Sequence, residues 1–165
     1  MRVYVASASS EIERAEKWMA ALREAGIEVT SSWPEVIRKV GEANPMSASR
    51  EQRAVWAATD LSEVSDADVL WLLLPEGGPT AGAYTEFGYA VLLGATAQQA
   101  RRLGVADAPI FWIIVSGEEK SIFTALADHF ADDEMAFEAL KLRSQLLGSV
   151  RQTKFPFAGN EKATP

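Results

Sequence analysis

The sequence predicts an α/β fold in which helices cover both faces of a parallel sheet of four or five strands. Two observations support this prediction. Short, continuously apolar segments alternate along the chain with segments whose apolar residues recur every three or four positions. Apolar strands separated by helices are typical of parallel sheets, because both faces of such a sheet are buried. With 165 residues, 48% of them hydrophobic, the chain is long enough for one domain with its own core.

The first strand and the first helix have clear boundaries in the sequence. Residues 2–6 form a short apolar strand. Ser9 or Ser10 can cap the helix that follows, with Glu13 placed for a capping box. Gly26 is expected to end this helix, because glycine readily adopts the left-handed conformation that follows a helix.

The remaining elements continue the alternation and complete a Rossmann-like or flavodoxin-like open sheet. They are a strand at 27–31, a loop with room for a helical turn at 33–47, a helix at 49–63, a strand at 69–74, a helix at 85–93, a short helix within 95–104, a strand at 110–115, and one or two helices within 121–147, broken near Asp132. Residues 1–150 are predicted to form the α/β domain. Residues 151–165, which are polar and contain proline and glycine, are predicted to form an irregular C-terminal tail.

Composition excludes several classes of function. The formal net charge is −7, so binding to a nucleic-acid polymer through its phosphates is not expected. The chain has no cysteine and a single histidine, His129, which leaves no thiolate or multi-histidine metal site, and no cofactor is expected. No apolar run approaches the roughly 20 residues of a membrane span, and residues 1–6 do not look like a signal peptide. We therefore expect a cytoplasmic protein without a membrane partner.

The segment from 66 to 90 is the most informative part of the chain. It contains a predicted buried strand, a loop with Gly77, Gly78 and Gly82, and a helix with Glu86 in its expected first turn. A glycine-rich loop before a helix lets a ligand approach the backbone and offers free N–H groups to an anion. In open α/β sheets, this corner is where ligands bind. Glu86 is therefore either a partner of the helix dipole or a reacting group.

Several other side chains can be explained either by packing or surface exposure or by a functional role. Trp33 and Trp56 are expected to be core or groove-lining aromatics, although either could stack on a nucleobase. Asp60, at the end of a helix, would by spacing alone be a surface residue. His129 lies in an acidic helical segment, where a structural or exposed role is the usual one.

Three motifs occur together in a recognisable order. They are Val3-Tyr4-Val5-Ala6, then Val55-Trp56-Ala57 running into Asp60-Leu61, then Gly82-x-x-x-Glu86-x-Gly88-Tyr89-Ala90. Together they resemble the nucleoside 2-deoxyribosyltransferase superfamily, which includes the 2′-deoxynucleoside 5′-phosphate N-hydrolases, over residues 1–116.

The resemblance implies a role for three residues. Glu86 would be the nucleophile that attacks C1′ of the sugar, Tyr4 would orient it, and Asp60 would protonate or hydrogen-bond the leaving base. Cleavage of an N-glycosidic bond needs such groups, because positive charge develops on the sugar carbon and negative charge on the base. A carboxyl group among apolar residues can have its pKa raised far enough to donate a proton at neutral pH.

The resemblance also bears on the substrate. The deoxyribosyltransferases have an aspartate six residues before the nucleophile, where this chain has Thr80, and the nucleotide N-hydrolases have a serine that helps to hold the 5′-phosphate. A hydroxyl beside Gly78 and Gly82 suits a phosphate oxygen better than a carboxylate does. Ser7, after the first strand, could add another donor, but no arginine follows that strand. The choice between nucleoside and nucleotide therefore stays open.

Two alternatives remain at this point. The loop Pro75-Glu76-Gly77-Gly78-Pro79-Thr80 also resembles that of the cytokinin-activating phosphoribohydrolases, although Glu76 interrupts the motif and Glu86 follows Thr80 too late. The chain could instead be a non-catalytic nucleotide-binding or sensor module. The expected partner in every case is a small nucleoside or nucleotide. Because neighbouring subunits commonly complete the pocket in the resembled superfamily, a homodimer or larger homo-oligomer is also expected.

Overall fold

Five strands in the described part of the chain pair in parallel into one sheet. They are β1 (Arg2–Ala6), β2 (Glu28–Val29), β3 (Val69–Leu73), β4 (Trp112–Ser116) and β5 (Asp128–Phe130). Their order across the sheet is β2-β1-β3-β4-β5. The computed structural model describes residues 1–40, 47–77, 80–105, 110–119 and 121–152. The predicted α/β fold with four or five parallel strands is confirmed.

Helices cover both faces of this sheet, as predicted. They are α1 (Ile12–Glu24), α2 (Trp33–Val40), α3 (Arg50–Asp66), α4 (Ala81–Arg102) and α5 (Asp133–Gln152), with short 3₁₀ turns at Ser9–Glu11 and Ile122–Leu126. On one face α1 packs against α5, where the Trp18 ring contacts Trp71 of β3 and Phe137. On the other face α3 and α4 pack against each other and against β1.

The sequence predicted some helix ends and caps correctly and others incorrectly. Gly26 follows α1 with φ of 74°, and the Ile27 amide donates to the Leu22 carbonyl oxygen, so the predicted end of the helix is confirmed. The predicted capping box is wrong. The chain enters α1 through the 3₁₀ turn, and neither start position makes a side-chain capping bond. Ser49 does cap α3, since its hydroxyl oxygen accepts from the Gln52 amide.

The helix containing Glu86 is longer than predicted. Residues 81–102 form one continuous helix, where the sequence predicted a helix at 85–93 and a separate short one. Gly94 does not interrupt it, because a single glycine costs only about 1 kcal/mol in a helix interior, and burial of Ala90 and Ala97 favours continuation. Glu86 is consequently the sixth residue of α4, and its predicted place in the first turn is wrong.

Three further elements differ from the sequence prediction. β2 has two residues instead of five, and the expected loop at 33–47 begins with the eight-residue helix α2. β5 lies within a segment that was predicted to be helical. Because it is a short edge strand with the partly exposed sequence Asp128-His129-Phe130, it lacks the continuous apolar pattern of a buried strand. His129 makes a backbone contact there, with its Nε2 2.7 Å from the Gly117 carbonyl oxygen.

A polar cluster holds the chain that leaves β3. The Arg14 guanidinium forms a two-bonded ion pair with Asp133 and also donates to the Leu74 carbonyl oxygen at 2.9 Å. Glu11 accepts from Arg14 and from the Glu76 amide, both at 2.7 Å. These bonds attach the start of the glycine-rich loop to α1 and α5, on the face of the sheet opposite α3 and α4.

The last described element of the chain is α5, which continues to Gln152. Residues 153–165 lie outside the described residues, so most of the predicted irregular tail stays a prediction. In the ranges that the structure describes, no helix has both the length and the apolar character needed to cross a bilayer.

The strand order indicates where on the sheet a ligand would bind. From β1 the chain connects to β2 on one side of the sheet, whereas from β3 it connects to β4 on the other side. In open α/β sheets, ligands bind in the crevice at the carboxyl ends of the strands where the connections diverge. That crevice here lies beyond the ends of β1 and β3.

Candidate active site

A cleft of about 340 Å³ opens beyond the carboxyl ends of β1 and β3, which is within the size range of small-molecule sites. Four parts of the chain form it: the segment after β1, helix α2, one face of α3 and the first turns of α4. The lining residues are Ser7, Ser9, Trp33, Val36, Ile37, Arg53, Trp56, Ala57, Asp60, Thr80, Gly82, Ala83 and Glu86.

Helical spacing explains why the two long helices present these side chains together. Arg53, Trp56 and Asp60 are three and four positions apart on α3, and such residues lie on the same face of a helix. Ala83 and Glu86 are three positions apart near the start of α4 and face the same cleft. Because α3 and α4 pack side by side, the carboxyl groups of Asp60 and Glu86 enter the cleft from neighbouring helices.

The carboxyl group of Glu86 lies deep in the cleft. Only 9% of the residue is exposed. Burial raises the pKa of Glu86 to about 8, and the negative charges of Asp60 and Glu63 act in the same direction, whereas the interaction with the Tyr4 hydroxyl opposes them. With a pKa this high, the protonated form of Glu86 is favoured at neutral pH. A pKa shifted by burial and specific partners in a cleft is typical of a functional carboxyl group.

Tyr4 and Asp60 complete this group. Burial, followed by the charges of Glu86 and Asp60, raises the pKa of Tyr4, so its hydroxyl stays protonated. The buried Tyr4 hydroxyl interacts with Glu86 but makes no regular hydrogen bond within the described part of the chain. Partial burial, and then the charge of Glu63, raises the pKa of Asp60 to about 6. The structure thus brings Tyr4, Asp60 and Glu86 together.

Aromatic side chains form the walls of the cleft. Trp33 is 8% exposed, and its indole Nε1 donates to the Val5 carbonyl oxygen at 2.9 Å, which fixes the ring against the end of β1. Val36 and Ile37, on the next turn of α2, extend this apolar wall. Trp56 is partly exposed on the α3 side. A flat ligand such as a nucleobase would fit between such walls, since aromatic faces stack on any base.

Two hydroxyl groups in the cleft have unused hydrogen-bonding capacity. Ser7 Oγ and Thr80 Oγ1 are both buried and make no hydrogen bond with the described part of the protein. Thr80 is the N-cap residue of α4, yet its side chain forms no capping bond. Buried polar groups are rarely left unsatisfied, so these two hydroxyls are expected to bond a ligand.

The predicted site residues and the observed lining overlap extensively. Ser7, Trp33, Trp56, Thr80 and Gly82 line the cleft beside Asp60 and Glu86, whereas Gly78 lies outside the described residues.

Sequence reasoning missed Arg53, Val36 and Ile37 as lining residues. Arg53 could have been found from its helical spacing with Trp56 and Asp60, whereas the two α2 residues fell in a predicted loop. Within the described ranges, no three His, Cys, Asp or Glu side chains are grouped as a metal ion would require.

The raised pKa of Glu86 predicts a pH-dependent cost to stability. Between its ordinary value near 4.5 and about 8, folded Glu86 holds a proton that the unfolded chain has lost. Stability must therefore fall as pH rises through this interval, by at most about 1.4 kcal/mol per pH unit. Glu86→Gln is expected to melt near wild type at pH 5 and above it at pH 8. A melting-temperature difference that does not change with pH would contradict the buried, protonated carboxyl group.

Comparisons with known proteins add two structural neighbours. The structure of the CMP N-glycosidase BcmB from Clostridium botulinum matches with 16% identity and a TM-score of 0.48, covering 86% of this chain and 99% of that chain. A 2-deoxyribosyltransferase from Bacillus psychrosaccharolyticus matches with 18% identity and a TM-score of 0.46, covering 86% and 90%. No protein-family model and no curated protein matches the sequence.

Proposed function

We propose that the protein cleaves the N-glycosidic bond of a nucleoside or a nucleoside 5′-monophosphate through a carboxylate nucleophile, transferring the sugar to another base or to water. The observation that carries the proposal is the convergence of Asp60 and Glu86 in one cleft with aromatic walls, where the buried Tyr4 interacts with both. Two carboxyl groups with different proton affinities suit glycosidic cleavage, because one can meet the sugar carbon and the other can protonate the leaving group.

The two carboxyl groups together hold the number of protons that this reaction requires, which is one. With a pKa of about 6 for Asp60 and about 8 for Glu86, the pair holds one proton between these pH values. The higher pKa of Glu86 favours that proton on Glu86 in the free protein, whereas catalysis needs it on Asp60. Bound substrate favours the exchange, because positive charge developing at C1′ stabilises the Glu86 carboxylate and a base covering Asp60 removes it further from water.

The reaction then proceeds in two balanced steps. The Glu86 carboxylate forms a bond to C1′ as the bond from C1′ to the base breaks, and the Asp60 proton passes to the base nitrogen. Tyr4 donates toward the carboxylate and orients it. In the second step, water or a second base attacks C1′, Asp60 accepts the proton of the attacking group, and the Glu86 carboxylate leaves.

The shared proton predicts a bell-shaped pH profile. Below about pH 6 both carboxyl groups carry protons and no nucleophile is available, whereas above about pH 8 both are ionised and no acid is available. We expect kcat/KM to be highest between these values. Steady-state rates from pH 4.5 to 9.5 test this, and a rate that rises steadily to pH 9.5 would contradict a shared proton.

Other lining groups of the cleft support a phosphate-bearing substrate. Ser7 and Thr80 offer two buried hydroxyl groups, Arg53 offers a positive charge, and the N-terminus of α4 offers backbone N–H groups. Helix N-termini and guanidinium groups are common phosphate ligands. Arg53 supplies from α3 the cation that is missing after β1.

Thr80→Val tests this part of the proposal. The substitution keeps the shape of the side chain and removes its hydroxyl, so KM for a 5′-monophosphate should rise about tenfold, the cost of one hydrogen bond to a charged group. KM for the matching nucleoside should change little. Thr96→Val is the control, because Thr96 is exposed on α4 and its hydroxyl donates to the Leu92 carbonyl oxygen of the same helix. Equal losses with both substrates would exclude a phosphate role for Thr80.

A surface beside the cleft supports the expected homodimer or larger homo-oligomer. The exposed side chains of Phe123 and Leu126 border a groove with Tyr84, Phe87 and Val91 of α4. Apolar patches of this kind on soluble proteins commonly mark protein contacts.

The proposed function is tested by incubating the protein with a panel of nucleosides and their 5′-monophosphates. Release of free base, separated by chromatography, is the expected result, with and without a second base as acceptor. Binding of a nucleotide without release of its base would overturn the proposal and favour a non-catalytic sensor module instead.

A further inference from the structure

Glu63 is a charged residue beside the cleft that the proposed reaction does not use. It lies on α3, three residues after Asp60, and is half-buried. Its carboxylate accepts from both polar groups of Ser32: the Ser32 amide donates to one oxygen at 2.9 Å, and the Ser32 hydroxyl donates to the other in a short hydrogen bond. A carboxylate that receives two bonds from one residue holds that residue in a defined position.

Ser32 belongs to the segment that carries the aromatic wall. Its neighbours are both attached to β1, since the Ser31 hydroxyl accepts from the Val5 amide at 2.6 Å and the Trp33 indole donates to the Val5 carbonyl oxygen. Residues 31–33 therefore connect β1, α3 and the start of α2. Glu63 forms the α3 part of this connection. The cleft-lining residues Trp33, Val36 and Ile37 lie on α2, which begins at this connection.

The charge of Glu63 also reaches the reacting groups. It is one of the causes that raise the pKa of Asp60, of Glu86 and of Tyr4. The charged groups that line the cleft are Arg53 and Asp60 from α3 and Glu86 from α4, and the α2 residues that line it are apolar. Tyr4 of β1 and Glu63 of α3 interact electrostatically with these carboxyl groups without lining the cleft. In a site with three carboxyl groups and one guanidinium, losing one negative charge changes the proton affinity of the others.

We propose that Glu63 is a positioning residue that holds the Trp33 wall through Ser32 and, three residues after Asp60 on α3, places a further negative charge beside the reacting carboxyl groups. The proposal rests on the proposed function for its consequences in catalysis, but its physical content concerns the protein alone. Glu63 touches neither the sugar nor the base. It links the shape of the cleft to its protonation.

Two substitutions separate the two effects. Glu63→Gln keeps an acceptor for the Ser32 amide and removes the charge, whereas Glu63→Ala removes both. Glu24→Gln is the matched control, because Glu24 is an exposed residue at the end of α1, away from the cleft, and its substitution changes the net charge equally. Thermal melts establish that each variant is folded, and Glu63→Gln serves alone if Glu63→Ala is not.

The first measurement uses the free protein and does not depend on enzymatic activity. Carboxyl ¹³C NMR titration of the free protein should show Asp60 and Glu86 titrating at lower pH in Glu63→Gln than in wild type, with no change in Glu24→Gln. Hydrogen exchange of the Ser32 amide should be unchanged in Glu63→Gln and about tenfold faster in Glu63→Ala, because a bond to a charged acceptor is lost. Unshifted titration in Glu63→Gln, or unchanged Ser32 exchange in Glu63→Ala, would overturn the proposal.

The second measurement uses the reaction. Both limbs of the kcat/KM profile should move to lower pH in Glu63→Gln with KM at its optimum unchanged, whereas Glu63→Ala should also raise KM. If Glu63 only supported the structure, both limbs of the kcat/KM profile would stay at their wild-type pH in Glu63→Gln. That result would overturn the proposal. If wild-type protein releases no base from any substrate, the proposed function fails, and the NMR titration still decides the role of Glu63.

Discussion

Glu86→Gln is expected to lower kcat on the order of a thousandfold or more while leaving the fold and nucleotide binding intact. Glutamine matches glutamate in size and keeps most of its hydrogen bonds, but it cannot form a bond to C1′ or balance a positively charged sugar. Single-turnover release of base from the preferred substrate measures the effect. Ligand affinity, measured by calorimetry, should change little, because the amide fills the same buried position and can still interact with Tyr4.

The simplest alternative for Glu86 predicts a different result. An acidic residue in the first turn of a helix stabilises the helix dipole by about 0.3–1 kcal/mol, and this effect fades beyond that turn. Glu86 is the sixth residue of α4 and is buried, so the dipole does not account for its position. A Glu86→Gln variant that melts lower but releases base at a rate near wild type would end the assignment of Glu86 as nucleophile.

Asp60→Asn is expected to lower kcat by about 10²- to 10⁴-fold, the usual contribution of a general acid. The size of the loss should depend on the leaving group. A base that departs without a proton, such as a 7-methylated purine, carries its own positive charge and needs no acid. The loss with that substrate should be tenfold or smaller, whereas an unmodified base should show the full effect.

This dependence separates an acid from a residue that only shapes the cleft. A structural Asp60 would lower the rates of both substrates equally, because a distorted cleft handles both bases badly. Equal losses would therefore contradict proton donation by Asp60. Trp56, one turn earlier on α3, lines the same cleft without an acidic group, and Trp56→Phe is the matched control: it should change KM and leave the leaving-group dependence unaltered.

Much of the fold was predictable from the sequence because it rests on burial on both faces of the sheet. β1 and β3 are almost entirely apolar, and such segments between helices leave few alternatives to a parallel sheet. β5 was missed because an edge strand is only partly buried and does not need this pattern. α4 was divided in two because Gly94 suggested a helix end, whereas tertiary packing overrides such a local signal.

The candidate site was predictable where a motif preserved residue types at fixed spacing. Tyr4, Asp60 and Glu86 were singled out from such motifs and lie together in the structure. Arg53 was missed although its spacing from Trp56 and Asp60 places it on the same face of α3, whereas Val36 and Ile37 were missed because α2 was predicted to be a loop. The protonation of the carboxyl pair was also beyond sequence reasoning, because it depends on the burial of each group and on the nearby charge of Glu63.

The stereochemistry at C1′ tests the central claim, a carboxylate nucleophile, most directly. With methanol added as acceptor, the released sugar is trapped as a methyl glycoside that does not change configuration, and proton NMR identifies its anomer. Attack by Glu86 followed by attack of methanol inverts C1′ twice, so the account predicts the β-anomer from a β-nucleoside. The α-anomer would mean that the acceptor attacks C1′ directly, and it would contradict a covalent role for Glu86.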